Sequence, residues 1–466
     1  MNHSDSERIA ACLESCGFSP LPGADLSAEA LAKADLVVFN TCGVRQMAED
    51  RAYGQIHNLR KSSKKVKIVL TGCLANRKDV QRRLKNKVNL FFTINDFKTF
   101  ENFIIKNSLK IENLKLKITQ SNNTPNKESI AYLSIKPKHA NKFQAYIPIM
   151  TGCNNFCSYC VVPYARGREV SRPAEEIIKE VKNLVKNRYK EIVLLGQNVN
   201  SYRFIDKNSS AEASAKEDKV ITFSKLLRTI NAIPGHFWIS FISNHPKDVT
   251  DEMIETVAKL PKICECFHLP IQSGNDAIIR KMNRKYTAKQ YLNLIKKIKA
   301  AYEKFKPGRP YSITSDIIVG FPGETKKQFL ASAEVMKKAK YDMIYFGQYS
   351  PRPGTAAWKL KDNISKKEKM RREKYLNEIL RKSAFDNNAK YVGKDFEILV
   401  EKQENTKAKL LESKSLALGE FIYYGKTRTM KNVKIISNKK GLVGQFVKVK
   451  ITKANIWNLE GKLGNT

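Results

Sequence analysis

The chain has 466 residues, of which 42% are hydrophobic and 9% aromatic. At about 150 residues per domain, this length allows roughly three domains, each with its own core. Charged residues recur through the first thirty positions, and no uncharged run is long enough to cross a bilayer. We therefore expect neither a secretory leader nor a transmembrane anchor. These features predict a cytoplasmic protein without a membrane partner.

The chain is strongly basic, with 84 Lys and Arg against 45 Asp and Glu and a formal net charge of +39. Such an excess attracts polyanions through counterion release and long-range steering, which points first to nucleic acid. The alternative is that the lysines lie on solvated helix faces, as in VKNLVKNRYK and LIKKIKAAYEK. Charge alone leaves both interpretations open.

Residues 1–104 alternate helical and strand patterns, which predicts an α/β domain. The segment DSERIAACLESCGF predicts its first helix, with Ser4 and Asp5 as N-cap types and Gly17 as the stop. Two apolar runs then predict buried parallel strands. Each run is followed by a cysteine: DLVVFN by Cys42 and VKIVL by Cys73.

Residues 139–375 contain six apolar strand candidates separated by helical stretches, which predicts a parallel sheet in a partial (β/α)6 barrel. The candidates are AYIPIM, EIVLLG, FWISFI, ECFHLP, YSITSDIIVG and DMIYFGQY. Polar motifs fall at the carboxyl ends of these strands, where such barrels carry their sites. The motifs are TGCNNFC, GQNVNSY, SNHPKD, QSGND, GFPGE and SPRPGT. We expect residues 105–138 to be a linker and residues 203–219 to be a solvated insertion.

A lysine-rich helical pattern over residues 365–386 leads into a tail of short alternating strands. The strand candidates are DFEILVEK, GEFIYYGKTRT, VKIISN and QFVKVKITKA, and they predict a small closed or sandwiched β domain at residues 388–463. Lysines and arginines interleaved with Tyr423, Tyr424 and Phe446 favour RNA binding. A structural β cap is the alternative.

Cys153, Cys157 and Cys160 form a C-x3-C-x2-C run without a fourth cysteine beside it. Thiols at this spacing in a reducing compartment indicate metal ligands rather than disulfides. A four-iron cube held by three thiolates keeps one iron open for a substrate or cofactor, so the run favours an iron–sulfur cluster. The alternative is zinc completed by Cys264 and Cys266, which otherwise suit buried positions inside a strand.

Three arginines follow this run closely: Arg166, Arg168 and Arg172. Their forked donors suit phosphate recognition. The alternative is ion pairing with Glu169, Glu175 or Glu176, and the sequence leaves both open.

The cysteine run, with an aromatic residue before its last cysteine, resembles the radical S-adenosylmethionine (SAM) superfamily. Five longer strings resemble its tRNA methylthiotransferases, closest to the branch that acts on dimethylallyladenosine. They are CVVPYARGREVSRP, LLGQNVNSY, HLPIQSGNDAIIRKMNRKYT, DIIVGFPGET and YSPRPGT. The resemblance covers nearly the whole chain.

In that family the three clustered cysteines, Cys153, Cys157 and Cys160, would hold a [4Fe–4S] cluster that binds SAM. An electron from the cluster cleaves SAM and leaves a radical that takes hydrogen from the substrate. The resemblance implies SAM contacts at these positions: Tyr159 near the adenine, Gly196, Gln197 and Asn198 near the methionine amino group, and Gln272 and Ser273 as weaker candidates. A turn-forming role for Gly196 and Asn198 is the alternative.

Cys42 and Cys73 match two of the three ligands of the family's second [4Fe–4S] cluster, which is thought to carry the inserted sulfur. The family's first strand and third cysteine are missing, and Met1 and Asn2 match the residues just after that ligand. We expect the DNA upstream of Met1 to encode that strand, in frame, with a cysteine two positions before Met1. As substitute ligands, Cys12 and Cys16 are disfavoured, because their spacing predicts a buried apolar helix stripe.

The resemblance implies addition of a methylthio group at C2 of N6-dimethylallyladenosine next to the tRNA anticodon, with two SAM molecules used per product. It implies the tRNA anticodon arm and a reductant such as flavodoxin or ferredoxin as partners, a monomer, and a TRAM-like RNA-binding tail. The near alternative is a sister methylthiotransferase that acts on threonylcarbamoyladenosine or on a ribosomal protein aspartate. The distant alternative is a zinc-containing RNA-binding protein without catalysis.

Overall fold

The computed structural model describes residues 1–21, 27–43, 46–107, 128–205, 220–404 and 420–464. The amino-terminal unit is a three-stranded parallel sheet in the order β1-β2-β3, flanked by helices. Its elements are α1 (Asn2–Ser15), α2 (Ala28–Leu31), β1 (Leu36–Thr41), α3 (Gln46–Ser62), β2 (Lys67–Gly72), α4 (Lys78–Leu84), β3 (Leu90–Phe91) and α5 (Phe97–Asn107). The predicted α/β character of this region is confirmed.

Helix α1 begins at Asn2, so the predicted N-cap at Ser4 or Asp5 is wrong. Asp5 lies inside the helix and is buried, because its carboxylate pairs with Arg166 of the following unit. Cys12 and Cys16 are buried in the core beneath α1 together with Ile9, which confirms the apolar stripe.

The predicted linker is helical at both ends, since α5 continues to Asn107 and a 3-10 helix spans Glu128–Ser134. Tyr132 and Leu133 of that helix pack into the amino-terminal core. Residues 108–127 lie outside the described part of the chain.

The central unit contains all six predicted strands, as β4, β7, β10, β11, β12 and β13. In chain order its strands are β4 (Gln144–Pro148), β5 (Met150–Thr151), β6 (Val170–Ser171), β7 (Glu191–Leu195), β8 (Arg203–Ile205), β9 (Val220–Thr222), β10 (Trp238–Phe241), β11 (Cys266–His268), β12 (Ser312–Val319) and β13 (Met343–Gln348). Two parallel sheets, β10-β7-β4 and β11-β12-β13, join through the bridge between Ile239 and Ile263. This arrangement confirms the partial barrel.

Helices cover the outside of this barrel and bury one large apolar core against it. They are α6 (Val162–Arg166), α7 (Ala174–Lys186), α8 (Phe223–Ala232), α9 (Asp251–Lys259), α10 (Asp276–Lys281), α11 (Ala288–Phe305), α12 (Lys326–Ala339) and α13 (Lys366–Ala389). The predicted insertion at residues 203–219 opens from the hairpin β8–β9, and residues 206–219 lie outside the described part. No helix that the structure describes is long and apolar enough to span a membrane.

The carboxyl-terminal unit is a closed five-stranded barrel in the order β14-β15-β16-β18-β17. Its strands are β14 (Asp395–Gln403), β15 (Phe421–Thr427), β16 (Asn432–Ser437), β17 (Phe446–Ala454) and β18 (Leu459–Leu463). The four predicted strands are confirmed. The fifth strand, LEGKL, escaped prediction because it is short and carries only two apolar residues.

The three aromatic residues of the tail that favour RNA binding in the sequence make contacts within the protein. Tyr423 is fully buried in the small barrel, and Phe446 packs 4.8 Å from the Trp238 ring, centroid to centroid. Tyr424 is half-buried and donates a hydrogen bond to Glu404. These rings are therefore held by protein contacts, and RNA binding by the tail stays a prediction.

The small barrel seals the amino-terminal end of the large one through buried ion pairs. We call Glu191, Glu265 and Asp342 the floor carboxylates, because each starts or directly precedes a central strand and all are buried. Residues 426–431 of the small barrel supply a cation to each: Lys426 to Glu191 at 2.7 Å, Arg428 to Glu265 at 2.8 Å and Lys431 to Asp342 at 2.6 Å. Burial lowers the pKa of Lys426, but Glu191 and Glu401 raise it overall, so this lysine stays charged.

Replacing Lys426 with Met should destabilise the whole protein, since it leaves Glu191 buried without a cation. Removing one partner of a buried pair costs about 3–5 kcal/mol. Lys450→Met is the matched control, because Lys450 is exposed on the same small barrel, and such a surface change costs within about 0.5 kcal/mol. Thermal unfolding of the full chain compares them, and equal melting temperatures would show that the floor pairs contribute nothing.

Candidate functional site

The loop that carries the three clustered cysteines, residues 152–168, follows β4 and β5 at the carboxyl end of the barrel. Gly152 starts it with φ +77°, and a Cβ there would lie 2.0 Å from the Arg168 carbonyl oxygen, so only glycine fits. The amide of Cys153 donates to the Gly167 carbonyl at 3.2 Å, which brings the two ends of this cysteine loop together.

Cys153 is buried, whereas Cys157 and Cys160 are half-buried. The pKa of the Cys160 thiol is raised to about 12, mainly by burial and to a smaller extent by the neighbouring Cys157, Cys153 and Cys73. Burial also raises the pKa of Cys153. A metal cluster bound here must therefore displace protons from these thiols.

Residues 281–286, which we call the back segment, hold the middle of the cysteine loop. The Ser158 amide donates to the Met282 carbonyl at 3.0 Å, and the Asn283 side chain donates to the Phe156 carbonyl at 2.9 Å. Arg284 donates to the Cys157 sulfur at 3.5 Å. The back segment lies within one of the family-like strings, but no sequence signal indicates this role of Arg284.

Tyr159 lies beside this network, in a small apolar cluster that includes Phe321 and Tyr349. Its hydroxyl accepts a hydrogen bond from Arg284 at 3.1 Å. Burial raises the pKa of Tyr159 well above its ordinary value, although Arg284 acts in the opposite direction. The ring is therefore neutral and fixed in place.

The strand-end residues expected to contact SAM fall into two groups. Gln197 and Asn198 follow β7, and each has a buried side-chain carbonyl oxygen without a hydrogen-bond partner in the described part of the chain. Such acceptors suit an ammonium group. Gly196 instead has a packing role, because a Cβ there would lie 2.6 Å from the Met150 side chain.

Gln272 and Ser273 follow β11. Gln272 adopts φ +69° although it is not glycine, and strain of this kind concentrates at functional sites. Ser273 is fully buried, and its hydroxyl accepts from the Asn275 amide at 3.3 Å, which indicates a turn-stabilising role.

Sequence reasoning missed two functional candidates after β10, although the SNHPKD motif contains them. Asn244 has a buried oxygen without a partner, and His245 has a buried Nε2 without one. Burial, followed by Arg284, lowers the pKa of His245 to about 2, so the ring is neutral. Because Nδ1 accepts from the Lys247 amide, Nε2 carries the hydrogen and can donate.

The amino-terminal cysteines lie against the cysteine loop of the barrel. Strands β1 and β2 pair with Thr41 opposite Gly72, so Cys42 and Cys73 leave the sheet side by side. Cys73 packs against Val161 and Ala165 of the loop. The structure thus brings the two predicted groups of cysteines to one place.

Two buried arginines join the units around this place. Arg166 pairs with Asp5 at 2.5 Å, and Arg352 of the SPRPGT motif pairs with Glu49 at 2.8 Å. Burial lowers the pKa of Arg352, while Glu49 and, more weakly, Cys42 oppose this. The sequence does not predict that either arginine joins two domains.

The phosphate-binding interpretation of the loop arginines is wrong for two of the three. Arg166 is occupied by Asp5, and Arg172 is buried against Glu176 and Glu180. Only Arg168 of this trio is exposed, with its guanidinium carbon 4.4 Å from the Phe156 ring centroid.

A zinc site completed by Cys264 or Cys266 does not fit the barrel. These residues lie at the amino-terminal start of β11, where Cys264 packs against Trp238 and Leu399. The cysteine loop lies at the opposite end, five strand residues away, or about 16 Å. Within the described ranges, no three His, Cys, Asp or Glu side chains are placed to share a single metal ion.

Comparison with known proteins agrees with this geometry. A family model described as the radical SAM superfamily matches residues 147–336, and one described as uncharacterized protein family UPF0004 matches residues 1–93. The chain is 37% identical over 470 residues to the tRNA-2-methylthio-N(6)-dimethylallyladenosine synthase of Clostridium botulinum strain Langeland, covering 99% of this chain and 94% of that protein. The chain belongs to the radical SAM tRNA methylthiotransferase family.

Other relatives of this methylthiotransferase chain are equally full-length. The synthase of the same name from Dictyoglomus thermophilum is 37% identical and covers 99% of this chain and 96% of its own length. Among solved structures, the radical SAM methyltransferase TsrM from Kitasatospora setae, with cobalamin and a [4Fe-4S] cluster bound, aligns with 75% of this chain and 65% of that chain. The identity is 13% and the TM-score 0.46.

Radical SAM membership implies SAM and a [4Fe–4S] cluster as cofactors of this methylthiotransferase. The residues present fit that pair. The three thiols of the loop are close enough to influence one another, and the unpartnered oxygens of Gln197 and Asn198 lie on the same barrel edge. The SAM contacts and cysteine ligands themselves remain predictions.

Changing Cys153, Cys157 and Cys160 together to Ala should lower the iron content of anaerobically purified protein by about half, because thiolates are the ligands at that spacing. Changing Cys42 and Cys73 together to Ala should remove the other half of the iron. Cys264→Ala is the control and should retain all iron. Full iron in the triple variant would place the cluster elsewhere.

Proposed function

We propose that the chain adds a methylthio group at C2 of an N6-dimethylallyladenosine next to the anticodon of tRNA. The observation that carries the proposal is the packing of Cys73 against Val161 and Ala165 of the cysteine loop. Sulfur insertion requires a sulfur-carrying site next to a radical-generating site, and this packing supports assigning the two sites to the two groups of cysteines. The names of the full-length relatives support the same reaction for this chain.

The proposal assigns Cys153, Cys157 and Cys160 to the SAM-binding cluster, and it assigns Cys42 and Cys73 as two of the three ligands of a second [4Fe–4S] cluster. When bound, SAM and its cluster supply a hydrogen-abstracting radical, and the second cluster supplies the sulfur. Gln197 and Asn198 accept hydrogen bonds from the methionine amino group, and Tyr159 lies against the adenine. A flavodoxin or ferredoxin supplies the electrons, and the protein acts as a monomer.

The contacts between units fix the position of the amino-terminal cysteines relative to the cysteine loop. Glu49 accepts from Arg352 and from Arg77, both at 2.8 Å, so one buried carboxylate is shared by two domains. Asp5 and Arg166 form a second buried tie. These ties hold the domains together during the reaction, since each is shielded from competing water.

Mass spectrometry of tRNA nucleosides tests the reaction. Reconstituted protein, SAM and a reductant are incubated with tRNA that carries N6-dimethylallyladenosine, and we expect its 2-methylthio derivative together with two consumed SAM molecules per product. If the dimethylallyladenosine stays unchanged and the protein instead methylthiolates threonylcarbamoyladenosine or a ribosomal protein aspartate, the chain has a sister activity. Absence of any methylthio product would refute the proposal.

We further propose that the outer face of the small barrel, within residues 388–463, holds the RNA backbone. Lys450 of β17 is paired directly opposite Lys462 of β18, and both are exposed. Like charges in direct cross-strand pairs repel each other, and Asp395, which lies opposite Lys450 on its other side, forms an ion pair with Lys448, so a phosphate between Lys450 and Lys462 would relieve their repulsion. This surface remains available, whereas Lys426, Arg428 and Lys431 are committed to the floor carboxylates.

Changing Lys450 and Lys462 together to Gln should weaken tRNA binding and flatten its dependence on salt by about 0.9 in log–log slope for each phosphate that the protein no longer neutralises. Binding titrations at several salt concentrations measure this. The control is Lys289→Gln with Lys296→Gln, which removes two exposed lysines from α11. Equal slopes for the two double variants would exclude β17 and β18 from the RNA-binding surface.

A further inference from the structure

Arg284 of the back segment is a buried cation that touches the cysteine loop. It is 7% exposed, and its guanidinium makes hydrogen bonds in several directions. Nη1 donates to the Cys157 sulfur at 3.5 Å and to the Tyr159 hydroxyl at 3.1 Å, while Nη2 donates to the Pro270 carbonyl at 3.0 Å. Nε donates to the Tyr286 hydroxyl.

The partners of Arg284 are neutral groups and a thiol. Among the described residues, no Asp or Glu forms an ion pair with it, in contrast to the buried arginines Arg166, Arg172 and Arg352. A buried charge is costly unless an opposite charge lies close to it. Among these hydrogen-bond partners, the Cys157 thiol is the group that must lose its proton when it binds a metal, and it would then place a negative charge beside Arg284.

We propose that Arg284 is the counter-cation of the cluster held by Cys153, Cys157 and Cys160, and that it raises the reduction potential of that cluster. The inference rests on the cluster assignment made above. A cluster with three thiolate ligands gains one negative charge when it accepts an electron. A nearby buried cation therefore stabilises the reduced form more than the oxidised form.

The shape of the guanidinium matters as well as its charge. Nη1 bonds to both Cys157 and Tyr159, while Nη2 and Nε bond to other partners, and the guanidinium thereby ties the cluster ligand to the back segment. Lysine would keep the charge but, as a point charge on a flexible stem, could not hold the same set of partners. Arg284 is thus a positioning residue, since it acts on the reaction through the cluster.

The experiment is a redox titration of the cluster, followed by electron paramagnetic resonance. The full chain with Cys42→Ala and Cys73→Ala is the parent, so that one cluster is observed. Arg284→Gln and Arg284→Lys are compared with Arg280→Gln, which removes an exposed cation at the end of α10. Iron content and melting temperature are measured for each variant.

We expect Arg284→Gln to lower the ratio of reduced to oxidised cluster at the parent midpoint by about tenfold, which corresponds to about 59 mV for one electron. Arg284→Lys should give a smaller decrease, and Arg280→Gln should match the parent. Loss of iron from Arg284→Gln at an unchanged melting temperature would also support a counter-cation.

An unchanged midpoint in an iron-loaded Arg284→Gln protein overturns the proposal, whereas iron that Arg284→Lys keeps and Arg284→Gln loses supports it, because the lysine variant retains the positive charge. Loss of iron from both variants together with a lowered melting temperature also overturns it, because Arg284 would then be only structural. A parent without iron would instead refute the cluster assignment, and so the two failures are distinguishable.

Discussion

The shared direction of the six parallel strands is the constraint on which the rest of the structure depends. It sends every carboxyl end to one edge, where the cysteine loop, the unpartnered oxygens of Gln197 and Asn198, and His245 meet. It sends every amino end to the other edge, where the floor carboxylates collect. The candidate functional site and the end of the large barrel that the small barrel closes are thereby separated by the length of a strand.

Much of the basic character of the chain is structural, which a net charge cannot reveal. Arg166, Arg352 and Lys426 are buried against carboxylates from other units, so they hold domains together. Arg284 is buried without a carboxylate partner among the residues that the structure describes, and this difference is the basis of the separate role that we propose for it. The exposed Lys450 and Lys462 on β17 and β18 are the cations that we propose for RNA binding.

The strands and the cysteine loop could be predicted from sequence because their signals are local: apolar runs, glycines and short cysteine spacing. The roles of Arg172 and Tyr423 could not be predicted, because tertiary packing decides their partners. The same residue types suit both a buried contact and an RNA-binding surface. The ion pair between Lys426 and Glu191 joins residues that are far apart in the chain, so no local sequence pattern predicts it. The SAM contacts rest on the family resemblance and on the orphaned oxygens after β7.

The central claim is that the cysteines of two domains form one centre with two neighbouring clusters. Electron paramagnetic resonance of the anaerobically reduced, fully loaded protein tests it most directly. Two clusters as close as Cys73 and the cysteine loop should couple magnetically and give broadened or split signals. In the Cys42→Ala, Cys73→Ala protein, we expect the unsplit signal of one isolated cluster. A spectrum equal to the sum of the signals from the two single-cluster variants would contradict the account.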